Sequence, residues 1–227
     1  PPPKRNVNNV PEYPALRNLR VQSIASTCNR TTVVNNYVNN YLGSAVSLSE
    51  LGWTGNNSGC MAGVISSTAQ TKTFQRINYF RNLVGLGSVS YTSSYDVQTQ
   101  EAALMMKANN ALDHFPPNSW LCYTTNGYNG AGNSNLALGS YASNAIDLFM
   151  SDPGAGNYMA GHRRWVIYSK AVNFGHGSTN NSDALWVFTA PGNPAGLPPY
   201  ITWPVAGYMP RTLIPQRWSF SIPGADF

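Results

Sequence analysis

Gly161-His162-Arg163-Arg164-Trp165-Val166-Ile167-Tyr168 decides the fold class, because the apolar pattern changes period there. Upstream the spacing is helical. Phe74, Ile77, Phe80 and Val84 recur at helical intervals, with Gly85 and Gly87 as stop signals. A second helix is predicted from Ser93, with Asp96 three residues on as a capping box. It places Val97, Leu104, Met105, Ala108 and Leu112 on one face. It should end near His114, since Pro116 and Pro117 cannot continue it. Residues 118–139, with glycines at 127, 130, 132 and 139, read as loop. A third helix over about 143–151 would bury Ala145, Ile146 and Phe149. Downstream of His162, residues 165–168, 171–174 and 185–188 read as strands, and 217–222 as a last strand. Helices followed by strands give an α+β chain.

Working outward, the terminal segments are too poor in periodic apolar sequence to fold alone. Residues 1–60 are therefore expected to form an irregular extension packed on a core of 61–190, with Val33, Tyr37, Tyr41 and 46–51 as a short docking strand or helix. Residues 191–227 form a second extension. The chain has 227 residues, of which only 10% are charged, against roughly 25% in an average soluble protein. No apolar run approaches the roughly 20 residues of a spanning helix, and no basic-then-apolar leader stands at the start. A soluble, already processed chain follows, with an Asn-, Ser-, Thr- and Tyr-rich surface that suits an exported protein. The net charge of +5 reflects only nine acids rather than basic richness. The densest basic groups are Lys4-Arg5, Arg17 to Arg20 and Arg163-Arg164, too sparse for a nucleic-acid binder. Cys28, Cys60 and Cys122 permit three single-bridge pairings, and the absence of CxxC excludes a zinc ribbon.

Chemistry has few places to sit, because the chain holds only three histidines, His114, His162 and His176. His114 closes the second predicted helix and His162 opens a predicted strand. The plainest reading makes His114 a helix-end residue favoured by the dipole and His162 a turn residue. Two imidazoles with a carboxylate from Asp113, Asp147 or Asp152 could instead hold a dication or move protons. HExxH, EF-hand, P-loop and GxSxG patterns are all absent. Glu101, among apolar residues of the second helix, would need an ion-pair partner such as Arg76 or Arg81.

Four blocks then converge in order and spacing: Ile77-Asn78-Tyr79-Phe80-Arg81 with Gly85-Leu86; Ala102 to Met106 with Leu112-Asp113-His114; Ser134-Asn135-Leu136-Ala137; and Gly161-His162-Arg163-Arg164-Trp165 followed by Val172-Asn173-Phe174-Gly175. Together, over about residues 70–190, they resemble bacterial CAP-domain proteins of the SCP/PR-1 superfamily. The resemblance implies a three-layer α-β-α sandwich with a central antiparallel sheet and an open cleft lined by two histidines and two acids. On this chain the histidines fall on His114 and His162, and one acid on Asp152; these three are the catalytic candidates. The family's other acid is replaced by Ser134, which with Asn135 becomes a ligand-binding candidate. The resemblance also puts Cys60 and Cys122 in the CAP-like region and Cys28 outside it. It thereby favours a Cys60–Cys122 bridge over Cys28–Cys60. Similar tails follow the domain in some large bacterial surface proteins, which implies a piece of a longer multidomain chain.

The function expected from this reading is an exported or cell-surface module that binds a ligand or polymer without catalysis. Its partner is an extracellular ligand or polymer, and it is neither a nucleic-acid binder nor transmembrane, with a monomer expected. Zn²⁺ or another divalent metal, weakly held by His114 and His162, is the expected cofactor, because a site short of one carboxylate has less charge to hold a dication. The alternatives are a metal-assisted hydrolase using His114, His162 and Asp152, and a carbohydrate binder offering Trp203, Tyr208 and Trp218 as stacking faces. Ser134 has no evident nucleophile turn or oxyanion hole and is not read as a nucleophile.

Overall fold

Arg76 explains why a segment with no core of its own is nevertheless folded. Its guanidinium donates to Ser44 Oγ and Tyr41 O and pairs with Asp147. It thereby fixes the π-helical turn Tyr37–Tyr41, which continues α1 (Arg30–Asn36), onto α3 (Ser67–Leu83), while Lys72 of α3 pairs with Glu50 of α2 (Leu48–Leu51). Tyr41 also packs its ring on Tyr79 and Phe80. The stretch read as irregular is thus mostly helical, capped by Asn29 before α1 and by a Ser47–Glu50 capping box before α2. The computed structural model describes residues 27–222. Lys4-Arg5, Arg17 to Arg20 and the last five residues lie outside the described residues.

The remaining elements are β1 (Ser90–Tyr91), α4 (Asp96–Asn109), α5 (Thr125–Gly132), β2 (Ser134–Leu138), α6 (Ala142–Ser151), α7 (Gly161–Val166), β3 (Asn173–Ser178), β4 (Ser182–Trp186), β5 (Ile201–Trp203) and β6 (Ser219–Ser221). The main sheet has strand order β1-β3-β4-β2. It is antiparallel from β3 through β4 to β2, with the two-residue β1 parallel on its edge. Side chains alternate across it as the pleat requires. Leu136 and Ala184 join Ala102, Met105, Met106 and Ala131 of α4 and α5, while Ala137, Phe174 and Leu185 join Ile77, Phe80, Ile146 and Phe149 of α3 and α6. The result is an α+β sandwich with helices on both faces. β5 and β6 form a separate hairpin-like pair whose Trp203 enters the second of these cores against Phe80.

Several expectations fail for local reasons. The second helix ends at Asn109, because Asn110 takes a left-handed conformation (φ 47°) and breaks it five residues before the turn that carries His114. Val97 and Leu112, expected in the core, are exposed. Ser93 caps nothing; Thr92 accepts from Ser94 N, and Asp96 is the first helical residue. Residues 165–168 are not a strand, since α7 runs to Val166, so His162 sits in the first turn of a helix. The two strands beyond it are shifted, to 173–178 and 182–186. Glu101 meets neither arginine; it accepts from Thr124 Oγ1, while Arg81 donates to backbone carbonyls.

The stretch 118–139 is not loop, since it contains α5 and β2. Two of its glycines serve close approach, whereas Gly139 turns the chain with a positive φ: a Cβ at Gly130 would lie 2.0 Å from Gln98 O, and one at Gly127 would lie 2.8 Å from Met105 Cε. Gly130→Ala should therefore push α5 off α4 and cost about 2 kcal/mol or more, as overpacking does. Gly132→Ala, whose nearest new contact is at 3.5 Å, should cost nothing. Denaturant melts of the two variants check this, and equal stabilities would refute the packing role. Among the described residues no helix is long and apolar enough to cross a membrane.

Candidate functional site

Asp152 organises the site. It caps α6 in a left-handed conformation (φ 48°), which a short polar side chain tolerates better than most, and it is fully buried. Its Oδ1 accepts from His162 Nδ1 at 2.9 Å and its Oδ2 from Arg163 N at 3.3 Å. Both oxygens are therefore spent on positioning the first turn of α7. The carboxylate fixes the tautomer: Nδ1 of His162 carries the hydrogen, and Nε2 takes no hydrogen bond from the described residues. Phe149, one turn back in α6, stacks on the same imidazole with ring centroids 5.6 Å apart. Asn135 Nδ2 donates to His162 O at 2.9 Å, so this candidate ligand residue is already committed to holding α7 against β2.

His114 arrives on the loop after α4. Its Nδ1 lies 2.8 Å from Ala131 O, an acceptor only, so this ring too carries its hydrogen on Nδ1 and leaves Nε2 open. Asp113 beside it turns back to accept from Phe115 N. His114, His162 and Asn157 line both of two adjoining cavities, of about 320 and 390 Å³. Asp152 and Phe149 belong to the first, and Ser134 and Asn135 to the second. The two imidazoles predicted from sequence are thus brought to one cleft. Ser134 is buried there, with an Oγ that finds no partner.

Two arginines hold this arrangement from behind, and sequence reasoning missed both. Arg163, fully buried, donates to Met150 O, Ser151 O, Arg217 O and Ser219 Oγ. Burial brings its guanidinium down to about 10, with Asp152 pulling the other way, so it is charged at neutral pH. The pair Arg163-Arg164 is accordingly no basic surface patch. Arg217 of the tail donates to Asp152 O, Asn157 O and Gly154 O at 2.7, 2.9 and 3.0 Å, clamping the 152–157 loop that walls both cavities. Their partners lie far away in sequence, so no local spacing could reveal them.

The two imidazoles offer one Nε2 atom each to the cleft. They do not complete a three-ligand centre, and among the described residues no group of three or more His, Cys, Asp and Glu gathers for a metal. Trp203, proposed as a stacking face, is only 1% exposed and unable to serve; Trp218 and Tyr208 are exposed. Cys60 and Cys122 are bridged and Cys28 is free and exposed. A family model described as CAP, cysteine-rich secretory protein family, matches residues 74–189, a little over half of the chain. No curated protein and no solved structure matches it.

Proposed function

The chain belongs to the CAP, cysteine-rich secretory protein, family, and from that premise we propose that it is a bacterial, exported or cell-surface module whose histidine cleft binds a ligand or polymer without reacting with it. The observation that carries this reading is that the buried carboxylate of the cleft is spent. Asp152 holds His162 and Arg163, Asp113 caps its own turn, and Ser134 stands where relatives carry an acid. Among the described residues no group of three or more His, Cys, Asp and Glu gathers to complete a catalytic metal site. The Cys60–Cys122 bridge supports an oxidising compartment. Residues 1–60 and 191–227 would act as extensions wrapped on a 61–190 core, as a monomer within a longer chain.

A dication such as Zn²⁺ would be held weakly by His114 and His162 through Nε2 and would offer its remaining positions to the ligand. In calorimetric titrations His114→Ala and His162→Ala should each abolish Zn²⁺ binding. Ser134→Glu should tighten it about tenfold by supplying a further ligand or a nearby charge. Undiminished binding in either alanine variant would refute the shared site.

The His162–Asp152 pair is also the arrangement of a general base with its orienting carboxylate, which favours metal-assisted hydrolysis as a second reading. Turnover of an ester or peptide probe that vanished in His162→Ala would replace the binding reading with this one.

A further inference from the structure

A second cavity, of about 560 Å³, opens between the start of α3, the loop 62–65, β1 and the first turns of α4. It is larger than either part of the histidine cleft and shares no lining residue with them. One broad stripe of α4 faces it, because Asp96 and Gln100, and Val97 and Glu101, are pairs four residues apart.

Its charge is unusual for a chain of net charge +5. Two carboxylates line it and no lysine or arginine does. Among the described residues neither Asp96 nor Glu101 has a cationic side chain within ion-pair distance. Asp96 Oδ2 accepts from the Tyr91 hydroxyl, and its Oδ1 is buried with no partner. Glu101 accepts from the Thr124 hydroxyl. The positive end of α4 offsets part of the Asp96 charge, but that effect fades within the first turn and does not reach Glu101. Burial holds the Asp96 carboxyl above its ordinary range, a penalty that a bound cation would relieve.

The rest of the lining is equally particular. Val64 and Val97 are 64% and 54% exposed, an apolar rim that no part of the described chain covers. At the floor, His176 bridges Asp183 Oδ2 and the Gln70 amide and is the one basic side chain of the lining.

We infer that this cavity is a binding site for an organic ammonium group on an apolar arm, the carboxylates of Asp96 and Glu101 taking the ammonium and Val64 and Val97 the arm. The free amino end of an apolar peptide has both features.

Leucinamide carries them in the smallest form, and N-acetylleucinamide lacks only the charge. Calorimetry or NMR titration should show saturable binding of leucinamide and none of the acetylated compound. Glu101→Gln, which keeps an oxygen for Thr124, should weaken leucinamide about tenfold, the loss of one charge-assisted hydrogen bond. It should leave both the melting temperature and Zn²⁺ binding at the histidine cleft unchanged. Asp96→Asn should weaken leucinamide similarly. Equal binding of the acetylated compound, no saturable binding of leucinamide at millimolar concentration, or full affinity in Glu101→Gln would each overturn the proposal. None of these results bears on the histidine cleft, whose test is the alanine series with zinc.

Discussion

Removing the chain from residue 200 onward should unfold the protein or leave it aggregating, although that segment lies outside the matched 74–189. Trp203 is the largest side chain concerned. It is fully buried against Phe80, and loss of a buried tryptophan costs about 3–5 kcal/mol. The same deletion strips Arg163 of Arg217 O and Ser219 Oγ and frees the 152–157 loop from Arg217. Against a total stability of about 5–15 kcal/mol, these losses together are decisive. Thermal melts and size-exclusion chromatography read the outcome, and a truncated chain that stayed monomeric with an unchanged melting temperature would contradict it. Arg217→Ala is the gentler companion: it should keep Trp203 in place and the fold intact while loosening the wall of the cleft, which zinc affinity would register.

The second large effect falls on Arg81. It is 1% exposed, meets no acid, and gives its hydrogens to Gly87 O, Val166 O, Tyr168 O and Ala171 O. Burial alone pushes its guanidinium down to about 10, so it is charged at neutral pH. Arg81→Ala takes the donor from Gly87 O, Val166 O and Ala171 O, whereas Tyr168 O keeps Ala171 N, and should cost about 3 kcal/mol or more. Arg81→Lys should recover only part of this, since one ammonium cannot span four acceptors set around a planar fork. Urea denaturation of the two variants checks the order. A loss of less than about 1 kcal/mol in Arg81→Ala would mean that the carbonyls find water, at odds with the burial of Val166 and Ala171. Because two of the four carbonyls end α7 and a third precedes β3, Arg81 supports His162 from the far side of its helix.

These arginines mark the boundary of what sequence reading can reach. The helix through Phe74, Ile77 and Phe80 and the helix of Ile146 and Phe149 were legible, because burial imposes its period on neighbouring residues. The sandwich was legible through the family resemblance that GHRRW and its companion blocks carry. The end of α4 was not, since a left-handed asparagine looks like any other. Nor was α5, whose Gly127 and Gly130 let two helices touch and were mistaken for turn residues. The roles of Arg163 and Arg217 were hidden for another reason: all their acceptors but Ser219 Oγ are main-chain oxygens, up to 65 residues away, and a carbonyl carries no mark of residue type.

The Cys60–Cys122 bridge closes the intervening chain, with α3, β1 and α4, into a covalent ring. A protease that cuts within that ring, for instance at the exposed Leu112 or Phe115, releases nothing. The two pieces remain one molecule, with His114 still attached through either side of the cut. Such a nick is silent until a reductant arrives, whereas a cut outside the ring, in the 191–199 connector, separates the tail from covalent attachment at once.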